Sequence, residues 1–286
     1  MSKKFLVTGA SGFIGSHVAD FLTSKGYEVL LFDKRLSKFK KINQKMFLGD
    51  MNNSKNLEKI LRNVNTLFHF AASADLNESN KKPFETVENN ILGTVKILKA
   101  CVKNKVKKFI FASSIYARSE QGGIYSTSKL SSEMIIERIC EKFKLKFVIL
   151  RFGTVYGERA NKFNTVQNFI KNSKKNFKIY RETKGNEIRN YIHVKDVAKI
   201  VYASTQKKYE NGYYNIFGDR KIMVKDLLDI IKSQVPKLKI HYAKKDNRKY
   251  NYKVNPFTYK LRKGKNFRLK KYISIKNGIF KLINKS

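Results

Sequence analysis

The chain has 286 residues, of which 42% are hydrophobic and 13% aromatic, enough apolar material for a sizeable core, and this excludes a disordered chain despite the charge. Its length suits one large α/β domain or a core domain with a smaller appended lobe. Sixty-one Lys and Arg against 22 Asp and Glu give a net charge of +39; the basic residues are spread along the chain without a nucleic-acid-binding motif, which points to compositional bias rather than to a specific nucleic-acid partner.

The residues after Met1 enter an apolar run at once, "KFLVTG", which reads as a strand with no secretory segment before it. "TGASGFIG" then sets Gly9, Gly12 and Gly15 at three-residue spacing, with Ser11, Phe13 and Ile14 among them. Between a strand and a helix such a turn lets backbone approach a pyrophosphate, and the helix N-terminus faces the anion. The helix runs on through "FIGSHVADFLTSKG" to a C-cap at Gly26. A second strand, "YEVLLFD", ends in Asp33, the acid expected to accept the ribose hydroxyls and to favour NAD over NADP; Lys34 and Arg35 follow directly and suit a 2′-phosphate.

"KMFLGD" is a third strand, followed by a short helix opened by Ser54, and "TLFHFAA" is a fourth. The stretch "PFETVENNILGTVKILKACVKN" is expected to form one long helix with proline in its first turn. "KKFIFASS" is a fifth strand, residues 125 to about 143 a further helix, and "KFVILRFG" a sixth strand. Near-continuous apolar strands alternating with helices imply a doubly wound parallel sheet of Rossmann type. The alternation loosens after Gly157, so the expected organisation is a dinucleotide-binding domain over 1–157, with a returning segment near 188–208, and a smaller substrate-binding lobe over 158–286. No run is long enough to span a bilayer. Cys101 and Cys140 fall in separate helical segments without metal-ligand spacing, as reduced buried thiols of a cytoplasmic protein that holds no metal.

Tyr125 and Lys129 lie one helical turn apart and share a face. A tyrosine serving as a base near neutrality needs its pKa lowered by about three units, roughly 4 kcal/mol. A desolvated ammonium one turn away and a cationic nicotinamide ring are the right kind of source. Ser113 and Ser114, at the end of the fifth strand, are both placed to hold a substrate oxygen.

In this order the motifs resemble an extended short-chain dehydrogenase/reductase of the NAD-dependent epimerase/dehydratase group. The resemblance rests on "TGASGFIG", "LGD", "HFAA", "NILGT", "YSTSKLSSE", "LRFGTVYGER", "IRNYIHVKDVA", "NGYYNIFG" and the tail "YISIKNGIFKLI". It implies that Tyr125 is the acid/base, that Lys129 binds the nicotinamide ribose and lowers the tyrosine pKa, and that Ser114 or Ser113 holds the sugar hydroxyl. It also implies an NAD site made from the glycine turn, Asp33, Asp50, Met51, Ala71, Ala72, Asn90 and Phe152, with Thr154, Arg189 and Arg248 facing substrate. The chain departs from the family pattern in the short "SSIYAR" segment, in Thr154 where Asn is common and in Asn190 where Asp is usual.

The implied activity is NAD-dependent epimerisation of a nucleotide sugar for surface-glycan synthesis, by transient oxidation to a keto-sugar, in a homodimer; independently of the resemblance, the basic tail after residue 240 is expected to be weakly attracted to anionic membranes. Reduction or dehydration at the same site is the alternative, and a catalytically silent interaction protein is the alternative of another class. His69 and His193 read as structural histidines, and Glu133 and Glu137 as surface charges.

Overall fold

The computed structural model describes residues 3–52, 57–244 and 257. Its strands are β1 (Lys4–Thr8), β2 (Glu28–Asp33), β3 (Lys45–Leu48), β4 (Val64–His69), β5 (Lys108–Ser114), β6 (Lys146–Phe152), β7 (Thr154–Tyr156), β8 (Lys178–Arg181), β9 (Ile188–His193), β10 (Gly212–Ile216), β11 (Lys221–Met223) and β12 (Lys239–Tyr242). The helices are α1 (Phe13–Ser24), α2 (Leu57–Ile60), α3 (Leu76–Lys81), α4 (Pro83–Val87), α5 (Gly93–Lys103), α6 (Gly123–Phe143), α7 (Thr165–Lys175), α8 (Val194–Ala203) and α9 (Val224–Gln234).

The apolar runs of the first half become one sheet of seven strands in the order β10-β6-β5-β4-β1-β2-β3, with every neighbouring pair parallel. Strand alternation splits the core in two. Phe5 and Val7 of β1 face α1 and α8, packing with Val18, Leu22, Val197 and Val201. Leu6 between them points the other way, toward α5 and α6, with Ile97, Leu98, Phe109 and Ile136. Cys101 and Cys140 lie buried in this second layer as free thiols. The strand order turns back at β1, with β2 on one side and β4 on the other, and a crevice opens past the carboxyl ends at such a switch point.

The segment after Gly157 contributes to more than one part of the molecule. Helix α8 packs on α1, where Phe21 and Tyr202 bring their rings to 5.7 Å and the Tyr27 and Tyr202 hydroxyls meet at 3.3 Å. Strand β10 becomes the edge of the large sheet beside β6. Strands β11, β9 and β7 form a three-stranded sheet and β12 pairs with β8. Phe169, Ile179, Val224, Leu228 and Leu238 make a separate small core under α7 and α9.

Local structure departs from expectation in two places that border the crevice. The long helix over 83–104 is broken by a π turn, Glu88–Leu92. There the Asn90 carbonyl accepts the Thr94 hydroxyl at 2.6 Å and the Ser132 hydroxyl at 2.8 Å, so side chains supply hydrogen bonds while the backbone ladder slips by a residue. Helix α3 is an additional element, begun by Asp75, whose carboxylate accepts the N–H groups of Asn77 and Glu78 at 2.8 and 3.0 Å. Its signal was Asp75 with Glu78 three positions on. Ser54, expected to open α2, lies outside the described residues.

Candidate active site

The turn after β1 is shaped by what glycine lacks. Gly9 has φ of 66°, and a Cβ there would come within 2.6 Å of the Ala71 backbone nitrogen. A Cβ on Gly15 would collide with the Gly9 carbonyl oxygen. Gly12 caps α1 without a side-chain hydrogen bond, and the first turn of the helix carries no acid. The positive end of α1 is thus left open to the crevice, a cradle that fits a pyrophosphate. Asp33 closes the turn at the end of β2. One of its oxygens accepts the Ser11 N–H at 3.0 Å and the other the Arg35 N–H at 3.1 Å, while the Ser11 hydroxyl bonds the Arg35 carbonyl at 2.7 Å.

From this turn a cleft of about 610 Å³ runs past the ends of β4, β5 and β6 to the loop after β7. Gly9, Gly12, Phe13, Ile14, Gly15, Asp33, Asp50 and Met51 line one end, and Ala71, Ala72, Ser113, Ser114, Tyr125, Lys129 and Phe152 the rest. Lys34 and Arg35 also border it beside Asp33.

The two serines part ways. Ser114 lines the cleft with Tyr125, near enough to act on its phenol, and its Oγ accepts the Tyr116 N–H at 3.2 Å. Ser113 Oγ is committed to Glu133 Oε1 at 2.5 Å. Lys129 is buried, 4% exposed, with its ammonium donating to the Ala112 carbonyl at 2.8 Å and lying 4.7 Å from the centre of the Phe111 ring. Burial lowers its pKa to about 8, against an opposing pull from Glu133. Burial raises the Tyr125 phenol to about 12, only partly offset by the nearby Ser114 hydroxyl. A tyrosine acting as a base near neutrality needs the opposite direction. The tyrosine loses more by desolvation than it gains from its neighbours, and Lys129 directs a hydrogen bond at backbone.

Asn90 serves the site from behind. It accepts the Ser73 N–H at 2.7 Å and donates to the Ser73 carbonyl and to Ser128 Oγ at 3.0 and 2.9 Å, pinning the loop after β4 to α6. His69 is fully enclosed between Thr8 and Thr94, at 2.7 and 3.0 Å, and burial, aided by Lys129, lowers its pKa to about 3. His193 caps α8 by accepting the Lys195 N–H at 3.3 Å. Ser11 and Asn90 touch the site through neighbours, and Thr154 and Arg189 lie outside the cleft lining. Arg189 is buried on β9, 8% exposed, where it pairs in register with Ile222 of β11. Arg248 lies outside the described residues.

Two expectations are corrected. Glu133 is not a surface charge but has 0% exposure, gripped by Arg151 at 2.9 and 2.7 Å. Glu137 is half-buried near Tyr213, whose phenol pKa is raised by burial and then by this acid. A sequence cannot show that an acid two turns along a helix meets an arginine from the next strand, although "LRFG" placed that arginine inside an apolar strand. Asn80 is a further unforeseen contributor. α6 begins at two glycines with positive φ, Gly122 and Gly123, and has no side-chain cap of its own. Asn80 of α3 supplies one, accepting the Ile124 N–H at 3.1 Å.

A seven-stranded Rossmann-type sheet with a glycine turn at one end of its cleft and a Ser–Tyr–Lys cluster at the other defines a dinucleotide-dependent enzyme. Residues 5–216 match the NAD dependent epimerase/dehydratase family, and the chain belongs to it. A putative UDP-glucose 4-epimerase from Methanocaldococcus jannaschii is 31% identical over 251 residues, covering 80% of this chain and 82% of that one. A dTDP-D-glucose 4,6-dehydratase from Dictyostelium discoideum is 29% identical over 77% of this chain, which spans only 59% of that relative. Among solved structures, the Thermotoga maritima UDP-glucose 4-epimerase with UDP-glucose superposes with a TM-score of 0.81, at 28% identity and 88% coverage of each chain. A UDP-N-acetylglucosamine 4-epimerase from Methanobrevibacter ruminantium, in complex with UDP-N-acetylmuramic acid, gives 0.80 at 28% identity, covering 89% of this chain and 88% of that one.

Proposed function

We propose that this chain is an NAD-dependent epimerase of a nucleotide-activated sugar. The observation that carries the reading is the meeting of Ser114, Tyr125 and buried Lys129 in the cleft that begins at the glycine turn. NAD, when bound, supplies a hydride acceptor that can return the hydride. Gly9, Gly12, Phe13, Ile14 and Gly15 would hold its pyrophosphate, Asp33 its adenosine ribose, and Asp50 and Met51 its adenine. Ala71, Ala72 and Phe152 would flank the nicotinamide half. Tyr125 takes the proton of a sugar hydroxyl at its phenolate oxygen and gives it back after the ring centre is inverted. Ser114 steadies that sugar oxygen. Lys129 holds the ribose and offsets the tyrosinate charge. Thr154, Arg189 and Arg248 remain our candidates for the substrate side.

Dehydration needs an acid and a base beside the serine. Asp75, Glu78 and Glu85 do border the cleft, but Asp75 caps α3, and Glu78 and Glu85 sit in exposed pairs with Lys81 and Lys82 at 3.4 and 3.6 Å. The test is turnover of a panel of sugar nucleotides. The expected result is an epimer of equal mass with no accumulation of NADH. Loss of water would establish the dehydratase, and stoichiometric oxidation of added NADH or NADPH the reductase.

Cofactor choice follows Asp33, whose carboxylate is fixed from both sides by backbone. Calorimetry should show NAD binding more tightly than NADP, and Asp33→Ala should narrow the gap by removing repulsion of a 2′-phosphate. Tighter NADP binding by the native enzyme would show that Lys34 and Arg35 win. The exposed apolar side chains of the α4–α6 face, Phe84, Leu92 and Met134 at 89%, 50% and 57% exposure, support a homodimer, to be checked by sedimentation. No helix of the described residues is long and apolar enough to cross a membrane, and we place the enzyme in the cytoplasm, with at most weak, salt-sensitive attraction of its basic tail to anionic membrane surfaces.

A further inference from the structure

The buried acid of α6 has no part in the chemistry described so far. Tyr125, Lys129 and Glu133 follow one another at four-residue spacing and so lie along one face of the helix. Glu133 is completely enclosed. Its Oε1 accepts Ser113 Oγ at 2.5 Å and Arg151 Nε at 2.9 Å, and its Oε2 accepts the second Arg151 nitrogen at 2.7 Å. Arg151 is itself backed by the Tyr213 ring, 4.8 Å away. The three bonded groups come from three elements: β5, α6 and β6.

We infer that Glu133 is a positioning residue of the reaction: held by Arg151, it locks the end of β5 against α6 through Ser113 and sets a fixed negative charge one turn from Lys129. This rests on the Tyr125–Lys129 assignment above. Ser113 directly precedes Ser114, so the lock fixes the strand that presents the Ser114 hydroxyl to the cleft it shares with Tyr125. The charge acts on Lys129. The groups around that ammonium are Tyr125 and Glu133 on its own helix, the Ala112 carbonyl and Phe111 ring on β5, and His69 on β4, which burial keeps neutral. Arg151 of β6 lies behind Glu133, and Asn90 of the π turn adds no charge. Glu133 is therefore the one fixed anion among them, and it opposes the loss of the Lys129 proton that burial promotes.

The sign of the effect follows. Tyr125 works deprotonated and Lys129 protonated, so activity falls at the alkaline end as Lys129 loses its proton. Glu133→Gln keeps the shape and removes the charge. The alkaline limb of kcat/KM should move down by about one pH unit. In the cofactor-free protein, the rise of unfolding stability with pH that reports Lys129 should begin lower by the same amount.

Two further variants separate positioning from mere support. Glu133→Gln with Arg151→Met removes both buried charges and should recover stability, yet keep the shifted limb. Glu133→Asp should lose stability but hold its limb near the native position, since the charge remains. A native pH profile in Glu133→Gln would overturn the inference, as would a double variant in which profile and stability recover together. If Glu133→Gln does not fold, Glu133→Asp decides alone: a shifted limb with the carboxylate still present overturns the proposal, and an unshifted one supports it. Loss of turnover in Tyr125→Phe would stand in either case, so failure here is distinguishable from failure of the catalytic assignment.

Discussion

Tyr125→Phe is expected to reduce turnover by about a thousandfold or more while leaving NAD affinity within about threefold. The size follows from general acid–base catalysis, where a positioned proton carrier contributes roughly 10²–10⁴. The selectivity follows from place. The glycine turn and Asp33 hold one end of the cleft, and the phenol oxygen faces Ser114 at the other. Phenylalanine keeps the ring and its packing, so the fold should survive. A phenol held near pKa 12 is far from a base at neutral pH. Bringing it there requires roughly 7 kcal/mol of preferential stabilisation of the tyrosinate. One nearby ammonium contributes about 1–3 pH units of this, so the free protein should not carry the ionised tyrosine. A difference absorbance titration of native protein against the Phe variant, without cofactor, should show the Tyr125 phenolate only above roughly pH 11. Near-normal turnover by the Phe variant would remove the residue from the chemistry altogether.

What the sequence made legible was periodic or local. The apolar runs over 4–8, 28–33, 64–69, 108–114 and 146–152 became strands because each is buried on both faces. The glycine turn could be read because the backbone geometry leaves no room for a side chain at Gly9 and Gly15. Tyr125 and Lys129 could be read because helical spacing alone puts them together. The interactions that escaped join distant positions. Whether Ser113 or Ser114 faces the tyrosine depends on which side of β5 each side chain takes, and on Glu133 being present to receive the other one. Asn80 caps α6 from 44 residues away, and its role leaves no local mark beyond the glycines that make the cap necessary. The break in the long helix depends on Ser132 reaching the Asn90 carbonyl across helices, which no propensity records.

Lys129→Met should cost both NAD affinity and turnover, and it should also change how stability depends on pH. The native ammonium is buried, with its pKa lowered to about 8, whereas an unfolded lysine titrates near 10.4. Below pH 8 both states carry the proton, and the native protein bears the full cost of a buried charge. Between about 8 and 10.4 the unfolded chain holds more protons than the native one, so native stability rises with pH. The total rise from this one group is about 3 kcal/mol. Methionine fills the same space without titrating. It also leaves the Ala112 carbonyl without its donor at 2.8 Å, so stability at pH 7 is not the informative number. The informative quantity is the difference in slope. Urea unfolding of the cofactor-free proteins at several pH values between 7 and 10.5 should show the native curve climbing relative to the variant by about 3 kcal/mol. Parallel curves would mean that Lys129 keeps its ordinary pKa in the fold. It would then be a fully charged ribose ligand at every working pH, and the alkaline limit of the reaction would have to come from another group.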